Sequence, residues 1–569
     1  MGVTRKEVQK QFKIRGYTLK VDALEEVFSF VSRFPDAEEE AVDLLLDELD
    51  NEPLKSSILD REPVHRVVSL LLEAESSVGE SPISVPNARS DLSFIDAFLI
   101  PKFRYDSSRK VFYEYTGRLP IHGDAPAKAA LYRDRFELLF QRLSRDPHFS
   151  KPVFETALPG FGCCEIVPIQ NLNWQTGRRW IMGLISQLED GHFYLEDLSA
   201  SVEIDLSNAI SLAAFVALLS EGGSLHNLHV IQNLSGLSYS QATFNFLNMY
   251  YKITTGFFSE NTIVVAEGER LPDGVFKVNT CGFPPIEDRD GSLSFISGLD
   301  FFGFGSLTKE EMRKLEAREK KAVNDMFVIL SDIWLDDEET MAKIATVLDG
   351  YEGVQVVPSL FVLMGNFCSH PCNLSFRSFS SLRIQFEKLG KMIADHPRLK
   401  EQSRFLFIPG PDDAGPSTSL PRCALPKYFS EELQKHIPKA IFLSNPCRIK
   451  FYTQEIVVFR RDLLYRMRRS CLLPPSTAET SDPFGHLVAT MIHQSHLCPL
   501  PLTIQPIIWN YDHCFHLYPT PHTIILGDRS EQKAFNYAGV TCFNPGSFSN
   551  DSSFVAYRPC TREVELSTL

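Results

Sequence analysis

The sequence predicts a multidomain α+β protein: a small helical domain, then a small β-barrel, then a large α/β domain with helices covering sheets. Three observations predict it. Residues 1–75 carry helix-period apolar stripes with helix start and stop signals. Residues 178–206 and 257–285 carry short strand-like runs joined by tight turns. From residue 326 onward, strand-like and helix-like segments alternate. At 569 residues the chain is too long for one core, so several domains are required.

The elements follow in order. Thr4 and Glu7 form a capping-box pair, and the helix they open runs to Arg15, with Gly16 as its stop. A second helix opens at Asp22 with Leu24, Val27, Phe28 and Val31 on one face, and Pro35 ends it. Ala37 to Leu49 and Pro63 to Ala74 give two more. Residues 76–92, rich in Ser, Pro and Gly, read as a linker. Pro101 to Tyr115 reads as a hairpin around Asp106-Ser-Ser-Arg109. Asp190-Gly191, Asp197-Leu-Ser-Ala200 and Asp273-Gly274 are turn signals between strands, which suggests an OB-fold barrel across 93–295.

In such a barrel Phe193, Tyr194, Phe257 and Phe276 could stack on single-stranded nucleic acid. Few Lys or Arg accompany them, so filling the barrel or an interdomain seam is the better reading. Residues 209–253 fit neither. Glu221 and Lys252 are their only fully charged side chains, and the apolar residues keep no sustained period. The segment reads as translated intron in preference to an insertion that packs on another subunit.

Residues 296–569 form the last domain. MFVILSDIWL, VQVVPSLFVLMGNF, RFLFIPGPDD, KAIFLSNP, RIKFYTQ and EIVVFR supply strands, and HTIILGD and AGVTCFNPGSF close the chain. EETMAKIATVLDGY, SLRIQFEKLGKMIADH, RDLLYRMRRS and FGHLVATMIHQSH supply helices.

Composition narrows the function. The chain is 44% apolar with 43 Phe, which suggests large cores or interfaces. A formal charge of −15 disfavours a protein whose main work is gripping phosphate backbones. The 12 Cys lack zinc-finger spacing, although Cys368-Ser-His-Pro-Cys372 resembles half a zinc site; reduced thiols in a cytosolic or nuclear protein are expected. The N-terminus lacks a signal-peptide pattern and a myristoylation motif, and the apolar run 209–220 is too short to span a bilayer, so no membrane partner is expected.

The strand endings are SDIW (331–334), GNF (365–367), GPDD (410–413), SNP (444–446), QSHL (494–497), GDRS (527–530) and NPGS (544–547). Their spacing resembles the metallophosphoesterase (calcineurin-like) fold, whose ligands polarise a phosphate through two metals. Matched residue by residue, Asp332 keeps the first ligand, and His496 is a candidate surviving histidine. Trp334 stands for a histidine, Asn366 for the bridging aspartate, Pro411 and Asp412 for Asn and His, and Asp528-Arg529-Ser530 for the last His-x-His. Such a ligand set is too depleted to hold two metals, so Asp332 is expected to cap the helix at 337–348 or to bond backbone amides.

With a helical N-domain and an OB-fold, this depleted phosphoesterase domain resembles the B subunits of the eukaryotic replicative B-family DNA polymerases, the epsilon branch above all. The residues carrying it are FVILSDIWLD (327–336), IPGPDDAG (408–415), LSNPCRIKFYTQEIVVFRRDL (443–463), HLCPLP (496–501), YDHCFHLYPTPHTIILGD (511–528) and CFNPGSF (542–548). The resemblance implies a non-catalytic nuclear subunit without catalytic, cofactor-binding or metal-binding residues. It implies that the OB and phosphoesterase domains hold the zinc-bearing C-terminal domain of the catalytic subunit of DNA polymerase epsilon. It implies that the N-domain contacts the replicative helicase assembly, and that DNA is met mainly through the complex. Two alternatives remain at this point. One is a phosphodiesterase or exonuclease with a metal site built from Asp332, Asp412, Asp413 and His496; the other is an autonomous single-strand binder.

Overall fold

The computed structural model describes residues 5–15, 17–20, scattered positions from 22 to 68, and 92–150, 164–174, 177–189, 191–207, 210–211, 256–296, 298–372, 376–473, 475 and 480–569. The chain divides into two compact units, Met1–Val85 and Pro86–Leu569.

In the first unit the helix Arg5–Ile14 places Val8 and Phe12 one turn apart, and both are fully buried. They pack with Ala23, Val27, Leu45, Val64 and Val68. The unit is not purely helical: Thr18–Leu19 pairs in parallel with Ile58–Leu59. Thr4, Gly16 and most of the three later helices lie outside the described residues.

In the second unit the expected barrel is present. Its strands are Arg179–Glu189, His192–Glu196, Ser201–Asp205, Ile263–Arg270 and Phe276–Gly282, and pairing of the last two with each other helps close the sheet. Gly191 and Gly274 sit at φ 84° and 98°, the left-handed conformation their turns demand. Strand alternation sorts the faces. Ile181 and Ile185 join Leu195, Val264, Phe276 and Val278 in one cluster. Met182 and Leu184 instead meet Phe136, Leu139 and Leu143 of the helix Ala125–Leu143. The sequence reading missed that helix, although Asp124 caps it by accepting from the Ala127 amide at 3.0 Å.

Two six-stranded sheets build the rest. One orders Ile441–Phe442, Arg404–Ile408, Leu360–Met364, Phe327–Ser331, Ser553–Arg558 and Glu563–Thr568. The other orders Lys533–Tyr537, Val540–Asn544, Thr523–Gly527, Gln454–Arg460, Cys447–Phe451 and Leu92–Asp96. Ile329, Val362 and Leu406 from the first sheet meet Ile449, Val458 and Ile525 from the second. The outer face of the first sheet carries Val328, Leu363 and Phe407, packed on Ile344 and Leu389 of the helices Glu338–Glu352 and Phe376–Ala394. Cover on both faces explains the unbroken apolar runs in the sequence.

Three features depart from the sequence reading, and the aromatics follow it. Leu92 begins an edge strand rather than ending a linker, and Leu92–Asp96, from the region expected to be barrel, pairs with Cys447–Phe451. The chain ends in a hairpin, Ser553–Arg558 with Glu563–Thr568, beyond the last expected strand. The helices Arg289–Ile296 and Lys309–Glu319 were also unforeseen. Phe257 and Phe276 are buried at 3% and 0% exposure, so neither offers a face to a base. Residues 209–253 lie outside the described residues, save that Ile210–Ser211 pair with Thr280 and Cys281. Among the described residues no helix is long and apolar enough to cross a membrane.

Candidate functional site

The strand Phe327–Ser331 delivers Asp332 at φ 57°, a left-handed residue with 1% exposure. Its carboxylate does not cap a helix: Asp337 caps Glu338–Glu352, accepting from the Thr340 amide at 2.9 Å. Asp332 is instead ringed by donors. Arg460 Nη2 donates to Oδ1 at 3.2 Å. Arg529 donates through Nε at 3.1 Å to Oδ2 and through Nη2 at 3.1 Å to Oδ1. Ser547 Oγ donates to Oδ2 at 2.8 Å.

Arg460 ends the strand Gln454–Arg460 and is wholly buried. It donates to the Gly365 carbonyl, to the Gly527 carbonyl at 3.0 Å and to Asp462 Oδ1 at 2.8 Å. Burial disfavours its charge, but Asp462 and Asp332 outweigh that and push its pKa up. The same Arg460 holds Asp462 below the usual carboxylate range against a desolvation that acts the other way.

The remaining motif residues serve the backbone. Asn366 Nδ2 donates to Asp412 Oδ2 at 3.1 Å, and the Asp412 amide returns a bond to Asn366 Oδ1 at 2.9 Å. Asp413, fully buried, accepts from the Phe367 and Gly410 amides at 2.6 and 2.7 Å, while burial raises its pKa. Asp528 accepts from the Leu463 and Leu464 amides at 2.6 and 3.0 Å.

These residues do not fit a pair of metal ions. Arg460 and Arg529 already place two permanent cations on the one retained carboxylate, and a third and fourth cation there would be repelled. The altered site of Asp332, Asp412, Asp413 and His496 is not assembled. Among the described residues only His496, Asp512 and His516 form a cluster of three groups within reach of one ion. That cluster is a hydrogen-bond knot. His496 Nδ1 accepts from the Cys498 amide at 3.0 Å, so Nε2 carries the proton and donates to Asp512 at 3.2 Å. A protonated Nε2 has no lone pair for a metal. Arg135, from the helix Ala125–Leu143, clamps the same carboxylate through Nε at 2.9 Å and Nη2 at 2.5 Å. Burial pushes the Asp512 carboxyl up, but Arg135 and His496 outweigh it and hold it well below the usual range.

Sequence reasoning missed Arg460, Asp462 and Ser547. A charged residue closing an apolar strand, as Arg460 closes EIVVFR, was the available signal.

An OB-fold barrel joined to a two-sheet body, with two arginines on Asp332, is the setting for a class that the comparisons define: the B subunits of DNA polymerases. The family model of the DNA polymerase alpha/epsilon B subunit matches residues 327–536, and that of the "DNA polymerase epsilon subunit 2-like, OB-fold domain" matches 125–223. The B subunit of DNA polymerase epsilon from Arabidopsis thaliana is 62% identical over 566 residues, covering 99% of each chain. DNA polymerase epsilon subunit 2 of Bos taurus and of Homo sapiens are each 31% identical over 582 residues, covering 99% of this chain and 98% of theirs. A solved archaeal phosphodiesterase covers 43% of this chain at 11% identity and a TM-score of 0.24, too slight a likeness to argue from. The chain belongs to the DNA polymerase epsilon B-subunit family and is an accessory subunit of that polymerase.

Proposed function

We propose that this subunit performs no chemistry of its own. It scaffolds the catalytic subunit, gripping its zinc-bearing C-terminal domain with the OB and phosphoesterase-like domains, and it links that polymerase to the replicative helicase through residues 1–75, in the nucleus. The observation that carries the reading is the Asp332–Arg460–Arg529 cluster, where guanidinium groups sit on the carboxylate a phosphoesterase would give to metal. The burial of Phe257 and Phe276 favours scaffolding over autonomous single-strand binding.

The test is a truncation. Residues 1–75 fall within the first compact unit, so a chain lacking them should fold, co-purify with the catalytic subunit and lose helicase coupling. Loss of the catalytic subunit from the truncated chain would place the grip in the wrong domain.

A further inference from the structure

The strand Gln454–Arg460 is followed by a second arginine that the Asp332 cluster does not use. Arg461 is 7% exposed, its Nε has no hydrogen-bond partner, and no carboxylate among the described residues pairs with it. Its backbone is fixed, the amide donating to the Gly527 carbonyl at 2.9 Å. Burial and the nearby Arg466 lower its pKa to about 10. A buried N–H without an acceptor, such as the Arg461 Nε, is costly, and natural proteins keep such groups where something else supplies the acceptor.

Beside it lies the short helix Leu464–Ser470. Tyr465 is 70% exposed, and Arg468 and Arg469 are exposed one turn further on, without a carboxylate partner among the described residues. Arg466 Nη1 donates to the Ile504 carbonyl at 3.1 Å, which ties this helix to a partly exposed apolar rim.

We infer that Arg461, Tyr465, Arg466, Arg468 and Arg469 form a docking site for an acidic segment of a partner protein, with one of its carboxylates reaching Arg461. This rests on the reading of the chain as a scaffold. Three features favour a peptide carboxylate over a nucleic-acid phosphate. Arg461 is recessed, within reach of a side chain more than of a sugar–phosphate backbone. The cluster is Arg and Tyr with no Lys between 460 and 470, the composition of protein-interface anchors. The chain as a whole carries −15, which opposes polyanion binding.

The test uses the full chain in complex with the catalytic subunit. An Arg468→Lys variant is treated with a zero-length carbodiimide, which joins an amine only to a touching carboxylate, and cross-linked peptides are read by mass spectrometry. The amine introduced at position 468 should join an Asp or Glu of a partner chain. Arg461→Met, which keeps the stem and removes the fork, should weaken the complex by about 30-fold, equivalent to ~2 kcal/mol, the low end for truncating a buried charge pair. The melting temperature of the free Arg461→Met chain should hold or rise, because a buried N–H without an acceptor is gone. A complex of the Arg468→Lys variant that forms without a cross-link at that position, with Arg461→Met binding like the wild type, overturns this inference and leaves the scaffold reading intact. A free Arg461→Met chain that melts lower makes Arg461 structural and overturns it too. The same holds if the variant loses only salt-sensitive binding to oligothymidylate, since the surface then reads phosphates. Failure of the wild-type chain to form any complex overturns the scaffold reading itself, and this inference with it.

Discussion

Replacing Asp332 by Asn leaves Arg460 buried with one fewer anion. Arg460 and Asp332 are 0% and 1% exposed, so water cannot take over the lost interaction. Breaking a buried pair from one side costs roughly 3–5 kcal/mol. Two facts set the low end, about 3 kcal/mol: Asn keeps an acceptor oxygen, and Asp462 still faces Arg460. Arg529 is 40% exposed, so Arg529→Ala should cost only about 0–1 kcal/mol after solvent screening. Arg460→Ala should exceed both, since it also abandons the Gly365 and Gly527 carbonyls. The assay is thermal melting followed by near-ultraviolet circular dichroism, with and without EDTA and with and without Mn²⁺. At 3 kcal/mol the shift for Asp332→Asn should be no more than roughly 6–12 °C, the range for a cooperative unit of 150–250 residues, and less for a larger one. EDTA should change nothing. Melting of Asp332→Asn within a degree of wild type would refute the argument. So would a wild-type chain that EDTA destabilises as much as the mutation does.

Three further outcomes are expected. His493, His496, His513 and His522 are each pushed down to about 3 by burial, from an unfolded value of 6.5. The unfolded chain then binds more protons below about pH 6.5, so stability is full above that pH. It should fall toward pH 3 by up to ~1.4 kcal/mol per pH unit per histidine; a melting temperature unchanged between about pH 7 and 5 would contradict this. Phe276→Ala should cost about 3–5 kcal/mol as a barrel-core cavity, whereas Tyr194→Ala, half-exposed, should cost little; denaturant melts that reverse the order would revive the stacking reading. Joining Asn208 to Thr254 removes 209–253 and, among the described residues, only the Ile210–Ser211 pairing, so the product should be soluble and bind the catalytic subunit. Misfolding of that chain would show the segment to be structural, and sequencing the transcript tests its intronic origin.

Local rules made much of the fold legible. Asp273-Gly274 announced its hairpin because the short loop needs a residue at φ > 0 and Gly274 supplies it. The runs FVILS and LFVLM announced strands because both faces are covered. What stayed hidden depends on partners distant in sequence. Leu92–Asp96 looks like the end of a polar linker, and its strand exists because Cys447–Phe451 offers an edge some 350 positions away. The helix Ala125–Leu143 carried a capping Asp124, but its polar positions masked the stripe, since Arg135 and Arg142 turn inward to Asp512 and Ser495. At the site, matching the strand endings singled out Asp332. It could not tell what that carboxylate bonds, because Asp332, Arg460, Arg529 and Ser547 come from four separate segments.

The Arg460 cluster has a physical logic. A dinuclear metal centre would cross-link the loops at the ends of both sheets. Arg460 performs that mechanical task from one side chain: it rises from the second sheet, bonds the carbonyl of Gly365 behind Leu360–Met364, and meets Asp332 behind Phe327–Ser331, both in the first sheet. A planar fork with five donors can satisfy several acceptors in fixed directions. The positive charge at this point is permanent and buried, so the ends of both sheets are braced by a side chain that does not exchange.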